Sequence, residues 1–149
     1  MQKIDVVKIA DFGYSTVCGK KDSKKTYCGT LDYMSPEIVK GEKYNKQVDM
    51  WAFGVLAYEI LQGVTPFYER SRKGTLQKIE KGQFNFTKDI SDDAKNFVSC
   101  LLNVSSVNRQ SIKQQIKHQW INQKNMAYQQ KIVYDIDLKV INILMNKED

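Results

Sequence analysis

The chain has 149 residues, of which 42% are hydrophobic, 27% charged and 11% aromatic. That suffices for one domain with a core and falls short of two ordinary ones, and the apolar content excludes general disorder. The best apolar run, Trp51 to Tyr58, stops at Glu59, well short of the about 18 residues of a membrane span, so no membrane partner is expected. The first residues, Met1, Gln2 and Lys3, open no signal-peptide pattern. Three scattered cysteines, Cys18, Cys28 and Cys100, make neither a disulfide scaffold nor a zinc site and fit a reducing compartment, cytoplasmic or nuclear. The net charge of +6 raises nucleic-acid binding first. The lysines at 20, 21, 24 and 25 form one cluster, and Arg70 through Lys73 to Lys81 another. Neither is interleaved with base-stacking aromatics, so solvated lysines are the expectation and nucleic acid is not the expected partner.

In chain order, residues 4 to 10 (Ile-Asp-Val-Val-Lys-Ile-Ala) read as a β-strand rich in β-branched residues. Gly13 to Thr30 is a long polar loop, of the kind that is usually functional or disordered. Pro36 opens a short helical turn, since its fixed φ suits the first helical position, and Gly41 closes it. Asn45 is the expected N-cap of a helix from about Gln47 to Gln62, stopped by Gly63. Val48, Met50, Trp51, Phe53, Val55, Leu56, Ile60 and Leu61 lie all round that cylinder, which predicts a buried central helix. Ser71 to Lys81 is predicted as an exposed basic helix, weakened by Gly74. Ser91, with Asp92 and Asp93 in the first turn, starts a helix reaching Leu102. Ser111 and Gln114 have capping-box spacing for a last core helix running to about Ile121. The tail from Ile132 to Met145 fits a strand (Tyr134, Ile136, Leu138, Val140) or a helix (Val133, Ile136, Val140, Ile141, Leu144). No internal repeat is visible.

The chemistry-bearing residues follow a single order. A strand delivers Asp11-Phe12-Gly13, an aspartate at a turn that glycine makes pliable, which suits a hard divalent cation. After the polar loop comes Cys28-Gly29-Thr30-Leu31-Asp32-Tyr33-Met34-Ser35-Pro36-Glu37. Asp49-Met50-Trp51-Ala52-Phe53-Gly54 lies on the central helix. Arg109 and His118-Gln119-Trp120 come last. In this order and spacing the set resembles the C-terminal lobe of a eukaryotic protein kinase over about residues 4 to 121. The Cys28 to Glu37 stretch looks most like the Aurora serine/threonine kinases.

The resemblance implies a mainly α, partial protein-kinase-like fold: C-lobe helices with a short N-terminal strand and an activation segment, the N-lobe being absent. It divides the chain into a partial kinase domain at 1–121, with activation segment 11–37 and C-lobe helices 38–121, and a tail at 122–149. Asp11 would bind the magnesium that bridges ATP phosphates. Phe12 would be the packing residue whose position separates active from inactive states, and Gly13 completes that cofactor-binding motif. Thr26 stands where such kinases carry an activating phosphate, whose charge needs arginine partners. Thr30 would position substrate and contact the catalytic base, as in serine/threonine kinases, and Leu31 to Tyr33 would line the adjacent pocket. Glu37 and Arg109 would form a buried ion pair holding the activation segment to the last helices. Asp49 is read as a buried acid in need of donors, which in the family hold the catalytic loop. His118, the single histidine, matches the family's structural His-x-Trp, and Trp51 and Trp120 read as core. Cys28 is read as an inert thiol in a lysine-rich loop that could lower its pKa.

The sequence contains no Gly-rich phosphate loop, no strand lysine with its partner glutamate and no His-Arg-Asp loop. Asp11 is the only metal-binding or catalytic residue left, and phosphoryl transfer needs many positioned groups. The chain is therefore expected not to catalyse by itself. ATP and magnesium belong to a full-length parent, and Met1 is expected to be an internal methionine of a truncated chain. Ser35 replaces the commoner alanine, and the 103–110 segment lacks its usual prolines. The leading reading is the substrate-binding and regulatory half of a serine/threonine protein kinase acting on protein substrates or regulators. The alternative is a non-catalytic, kinase-derived interaction module. A sticky patch around Trp51, Val55 and Leu56 is expected where the central helix lacks the family's preceding helix. The oligomeric state does not follow from the sequence.

Overall fold

The computed structural model describes residues 8–15 and 29–122. Residues 4–7 of the expected strand, the loop 16–28 with Thr26 and Cys28, and the tail from 123 lie outside the described residues. Among the described residues there is no strand, and residues 8–10 carry no regular structure. The order is a 3-10 turn at Phe12–Tyr14, another at Leu31–Tyr33, α1 at Pro36–Val39, α2 at Gln47–Gln62, α3 at Arg72–Lys81 and α4 at Asp92–Leu101. A 3-10 turn at Ser106–Asn108, α5 at Ile112–Gln115 and α6 at Gln119–Asn122 follow. The described residues fall into two compact units, 8–13 with 112–122 and 14–15 with 29–111.

In the larger unit, α2 is the centre. Its start has Asn45 Oδ1 accepting from the Gln47 N–H at 2.9 Å. The helix boundary falls at Lys46, already helical, one residue after the expected Asn45. Gly63 ends the helix at φ 80°, a left-handed position open to glycine without strain. Helix α2 packs on α4 and against the 31–33 turn, and α1 packs on α3. Gly54 makes the first of these possible. A Cβ there would stand 2.7 Å from Leu101 Cβ and 2.9 Å from Leu102 Cδ2.

The centre of α2 is dry. Trp51 and Val55 are fully buried, while Leu56 and Ile60 are about two-fifths exposed. The expected patch around Trp51, Val55 and Leu56 is therefore corrected: the exposed apolar side of α2 is Leu56 and Ile60, one helical turn apart. Trp51 instead stacks on Phe67, ring centres 5.2 Å apart and planes within 9°. Phe67 meets Phe84, which meets Phe86 and Tyr58 in edge-to-face pairs. The Tyr58 hydroxyl donates to Asn85 O at 2.6 Å. Such aromatic pairs add about 0.5–1.5 kcal/mol each beyond the area they bury.

Helix α3 forms despite Gly74. Ser71 Oγ caps it by accepting from the Gly74 N–H at 3.1 Å, and a Cβ on Gly74 would crowd that oxygen at 3.0 Å. Helix α4 is capped in the same way by Ser91 Oγ, from the Ala94 N–H.

The smaller unit corrects one expectation. The last helix is two short ones. His118 Nδ1 accepts from the Trp120 N–H at 3.2 Å, and His118 O accepts from the Ile121 and Asn122 N–H groups. The imidazole thus acts as the cap of α6 and interrupts the run from α5. Its structural role stands, and Trp120 is buried as expected.

Candidate functional site

Asp11 opens the smaller unit's share of the candidate residues. It is exposed and takes φ 61°, a conformation that costs most side chains strain and that aspartate tolerates better than others. The tight turn Phe12–Tyr14 follows, with Phe12 59% exposed. A Cβ on Gly13 would lie 3.4 Å from Asp11 Oδ1, ordinary contact. Asp11 offers one hard oxygen donor group. Among the described residues no group of three or more His, Cys, Asp or Glu side chains converges to hold a metal. One such carboxylate suits magnesium, which takes one or two protein carboxylates and fills the rest of its octahedron with waters and phosphate oxygens.

In the larger unit the segment Thr30–Glu37 is tied to the helical core at two points. Thr30 is exposed, and its backbone oxygen accepts from the Tyr33 N–H at 3.0 Å, closing the 31–33 turn. The Tyr33 hydroxyl then donates to Glu59 Oε2 on α2. This phenol is pushed up to about 12, first by burial, then by its bond to Glu59 and by the negative charges of Glu59 and Asp32. A phenol that donates a hydrogen bond to a carboxylate resists losing its proton.

The second tie is the ion pair expected from the sequence. Arg109 Nη1 donates to Glu37 Oε1 at 2.9 Å and Nη2 to Oε2 at 3.1 Å. This two-bond fork is the geometry that distinguishes arginine from lysine. The guanidinium has further acceptors. Nε and Nη2 donate to Asn103 O at 3.2 and 3.1 Å, and Nη1 also donates to Gln47 O. Its Cζ lies over the Trp51 ring, 5.2 Å from the centroid, a cation–π contact. Arginine and glutamate are both buried. The pair therefore meets the condition for a buried charge: every direction of the guanidinium faces an acceptor or a π-face. The missing prolines at 103–110 do not disturb it, because Asn103 Oδ1 folds the loop by accepting from the Ser105 N–H at 3.0 Å.

One expectation shifts here. Asp49 is not the buried acid in need of donors. It is exposed, and among the described residues no donor reaches it. Its side chain is open to solvent, yet the protein atoms packed around it displace enough water to push its carboxyl up from the ordinary value. The acid of α2 that receives a donor is Glu59. Ser35, standing where alanine is commoner, is 1% exposed, and its Oγ has no hydrogen-bond partner.

A family model described as protein kinase domain matches residues 1–121. The chain is 46% identical over 117 residues to an Aurora kinase of Candida glabrata, covering 78% of this chain and 33% of that protein. It is 40% identical over 124 residues to an Aurora kinase of Eremothecium gossypii, covering 83% and 34%. It is 42% identical over 120 residues to the serine/threonine-protein kinase srk1 of Schizosaccharomyces pombe, covering 78% and 20%. The chain thus spans about a third or less of the length of these curated relatives.

Proposed function

The chain belongs to the protein kinase domain family, and from that premise we propose that it is the substrate-binding and regulatory half of an Aurora-like serine/threonine kinase domain. The observation that carries this reading is the double anchoring of Thr30–Glu37, by Tyr33 on Glu59 and by Glu37 on Arg109. A segment that receives a peptide must hold its backbone still while leaving hydroxyls and pocket walls open. Here the anchors are partly or wholly buried, while Thr30 is exposed and Leu31 and Asp32 are half-buried. In this reading Thr30 orients the acceptor hydroxyl, and Leu31 to Tyr33 shape the neighbouring subsite. Thr26, outside the described residues, is the regulatory phosphosite. The domain boundaries are 1–121 for the kinase portion, with activation segment 11–37, and 122–149 for the tail.

Family membership implies ATP and magnesium in full-length relatives. Asp11 would supply one carboxylate to that metal, and Phe12 and Gly13 would shape its turn. Alone, Asp11 cannot hold the nucleotide, so the isolated chain transfers no phosphate. A non-catalytic interaction module is the second reading, favoured by that same solitary carboxylate.

A chimaera separates the two. Residues 1–121 replace the matching part of the Candida glabrata Aurora kinase, and phosphorylation of a serine peptide is measured. Activity that Asp11→Asn and Thr30→Ala each abolish supports the first reading. A folded chimaera without activity refutes it. Phosphate transfer by the isolated chain, lost on Asp11→Asn, would overturn the claim of inactivity.

A further inference from the structure

Only three residues of α2 are exposed: Asp49, Leu56 and Ile60. At 100° per residue they fall within about 40° of one another round the cylinder. They therefore form a single narrow stripe, which Val64, just past the helix end and 55% exposed, continues. Both flanks of the stripe are taken. Phe53 meets Phe97 of α4 edge to face, and Glu59 accepts from the Tyr33 hydroxyl. The stripe has a charge at each end. Asp49 lies seven residues before Leu56, and Gly63 lies seven residues after it. Lys88 Nζ stands at Gly63, 3.2 Å from where a Cβ would be. Neither Asp49 nor Lys88 has an ion-pair partner among the described residues. The Asp49 carboxyl is raised because packed atoms displace its water, and within one copy no cation takes the water's place.

A stripe with an acid at one end, a cation at the other and a leucine at its midpoint is complementary to itself when turned end for end. We propose that this side of α2 is a self-docking surface, on which a second copy of the chain lays its own α2 antiparallel about a two-fold axis at Leu56. Such a contact is isologous, so it closes at two copies. Leu56 meets its own counterpart on the axis, and Ile60 lies at the level of the partner's Ala52. At 1.5 Å per residue, Asp49 and Gly63 each stand about 10.5 Å from the axis along the helix. Asp49 of each copy therefore comes level with the partner's Gly63 and Lys88, and the ion pair forms twice. The antiparallel arrangement also sets the positive end of each helix dipole beside the negative end of the other. An unrelated protein segment would not require the two charges to stand equidistant from Leu56; a second copy does. The proposal does not depend on whether the chain takes part in phosphate transfer.

Sedimentation velocity of the full chain over a dilution series tests this, and a monomer–dimer equilibrium is expected. Leu56→Glu sets two carboxylates face to face on the axis and should weaken the dimer about a hundredfold or more. Asp49→Lys alone and Lys88→Asp alone each bring like charges together twice, and each should weaken it about tenfold or more. The two changes combined exchange the signs and restore both pairs, so the dimer should return to within about fivefold of its original strength. That recovery separates lost docking from lost folding, since a second surface change does not mend a folding defect. Four results would overturn the proposal: a monomer at every concentration, which would leave the stripe to some other occupant; open-ended oligomers in place of a dimer; a dimer indifferent to Leu56→Glu; or no recovery in the double reversal.

Discussion

Neutralising Glu37 tests the energetics of the anchored segment most directly. Arg109 is 2% exposed and Glu37 7%. Glu37→Gln leaves the guanidinium buried with only the carbonyls of Gln47 and Asn103 and the Trp51 ring. Breaking a buried pair on one side costs about 3–5 kcal/mol, a large part of the about 5–15 kcal/mol that stabilises a domain. Arg109→Met strands the carboxylate and also takes the donors from two carbonyl oxygens, each worth about 1–3 kcal/mol where water does not enter. It should therefore be the more damaging single change. The double variant removes both charges, so only the stranded carbonyls and the altered shape remain. Its loss should fall short of the sum of the singles by about 2 kcal/mol or more. Urea unfolding followed by tryptophan fluorescence measures this, because the Trp51 ring lies 5.2 Å from the Arg109 Cζ. An interaction energy below about 0.5 kcal/mol would show the two side chains to be independent, and the anchoring argument would be lost.

Four further outcomes follow from the same geometry. Gly54→Ala drives a methyl into Leu101 Cβ at 2.7 Å; overpacking of about 1–3 kcal/mol should exceed the about 1 kcal/mol gained in helix propensity, so the melting temperature falls. Ser35→Ala removes a buried hydroxyl that has no partner and gives up no cap, so stability should rise by about 1 kcal/mol in urea titration. Tyr33 favours its neutral form in the fold, so its contribution is complete below the ordinary phenol pKa of 10 and is lost as pH rises through about 12. Phenolate absorbance should show one late-titrating tyrosine that Tyr33→Phe removes, and joint titration near 10 would contradict the bond to Glu59. The raised Asp49 carboxyl has the opposite consequence at low pH: the folded state holds its proton longer, so its own contribution to stability declines as pH rises from 3.8, and Asp49→Asn should remove that part of the slope.

Helix ends proved readable where their cause is local. The limits of α2 follow from Asn45 and from Gly63 in its left-handed position, and the start of α3 from Ser71, whose hydroxyl caps it. The last helix was misread because its interruption comes from an imidazole accepting a backbone proton, and periodicity carries no trace of that. The pairing of Glu37 with Arg109 spans 72 positions. No local pattern reaches so far, and only the resemblance to a kinase C-terminal lobe made it legible.

The two acids of α2 show why the rest was not. Asp49 and Glu59 both interrupt an apolar helix, and an acid in such a run is expected to be buried and paired. They lie ten positions apart, which at 3.6 residues per turn sets them about 80° apart round the cylinder. That offset does not by itself say which of the two meets a donor. What separates them is what lies across from each along the axis. The 31–33 turn packs on α2 and brings the Tyr33 hydroxyl to Glu59, whereas Asp49, in the first turn, meets no donor among the described residues. The position of a partner along the axis is set by the path of the 29–37 segment, and so by the Arg109 anchor at its far end. If that reasoning holds, loosening the anchor should be felt at Glu59. In Glu37→Gln, the late titration of Tyr33 should move back toward 10, although neither Tyr33 nor Glu59 has been changed. A phenol that stays near 12 in that variant would mean that the two ties act separately.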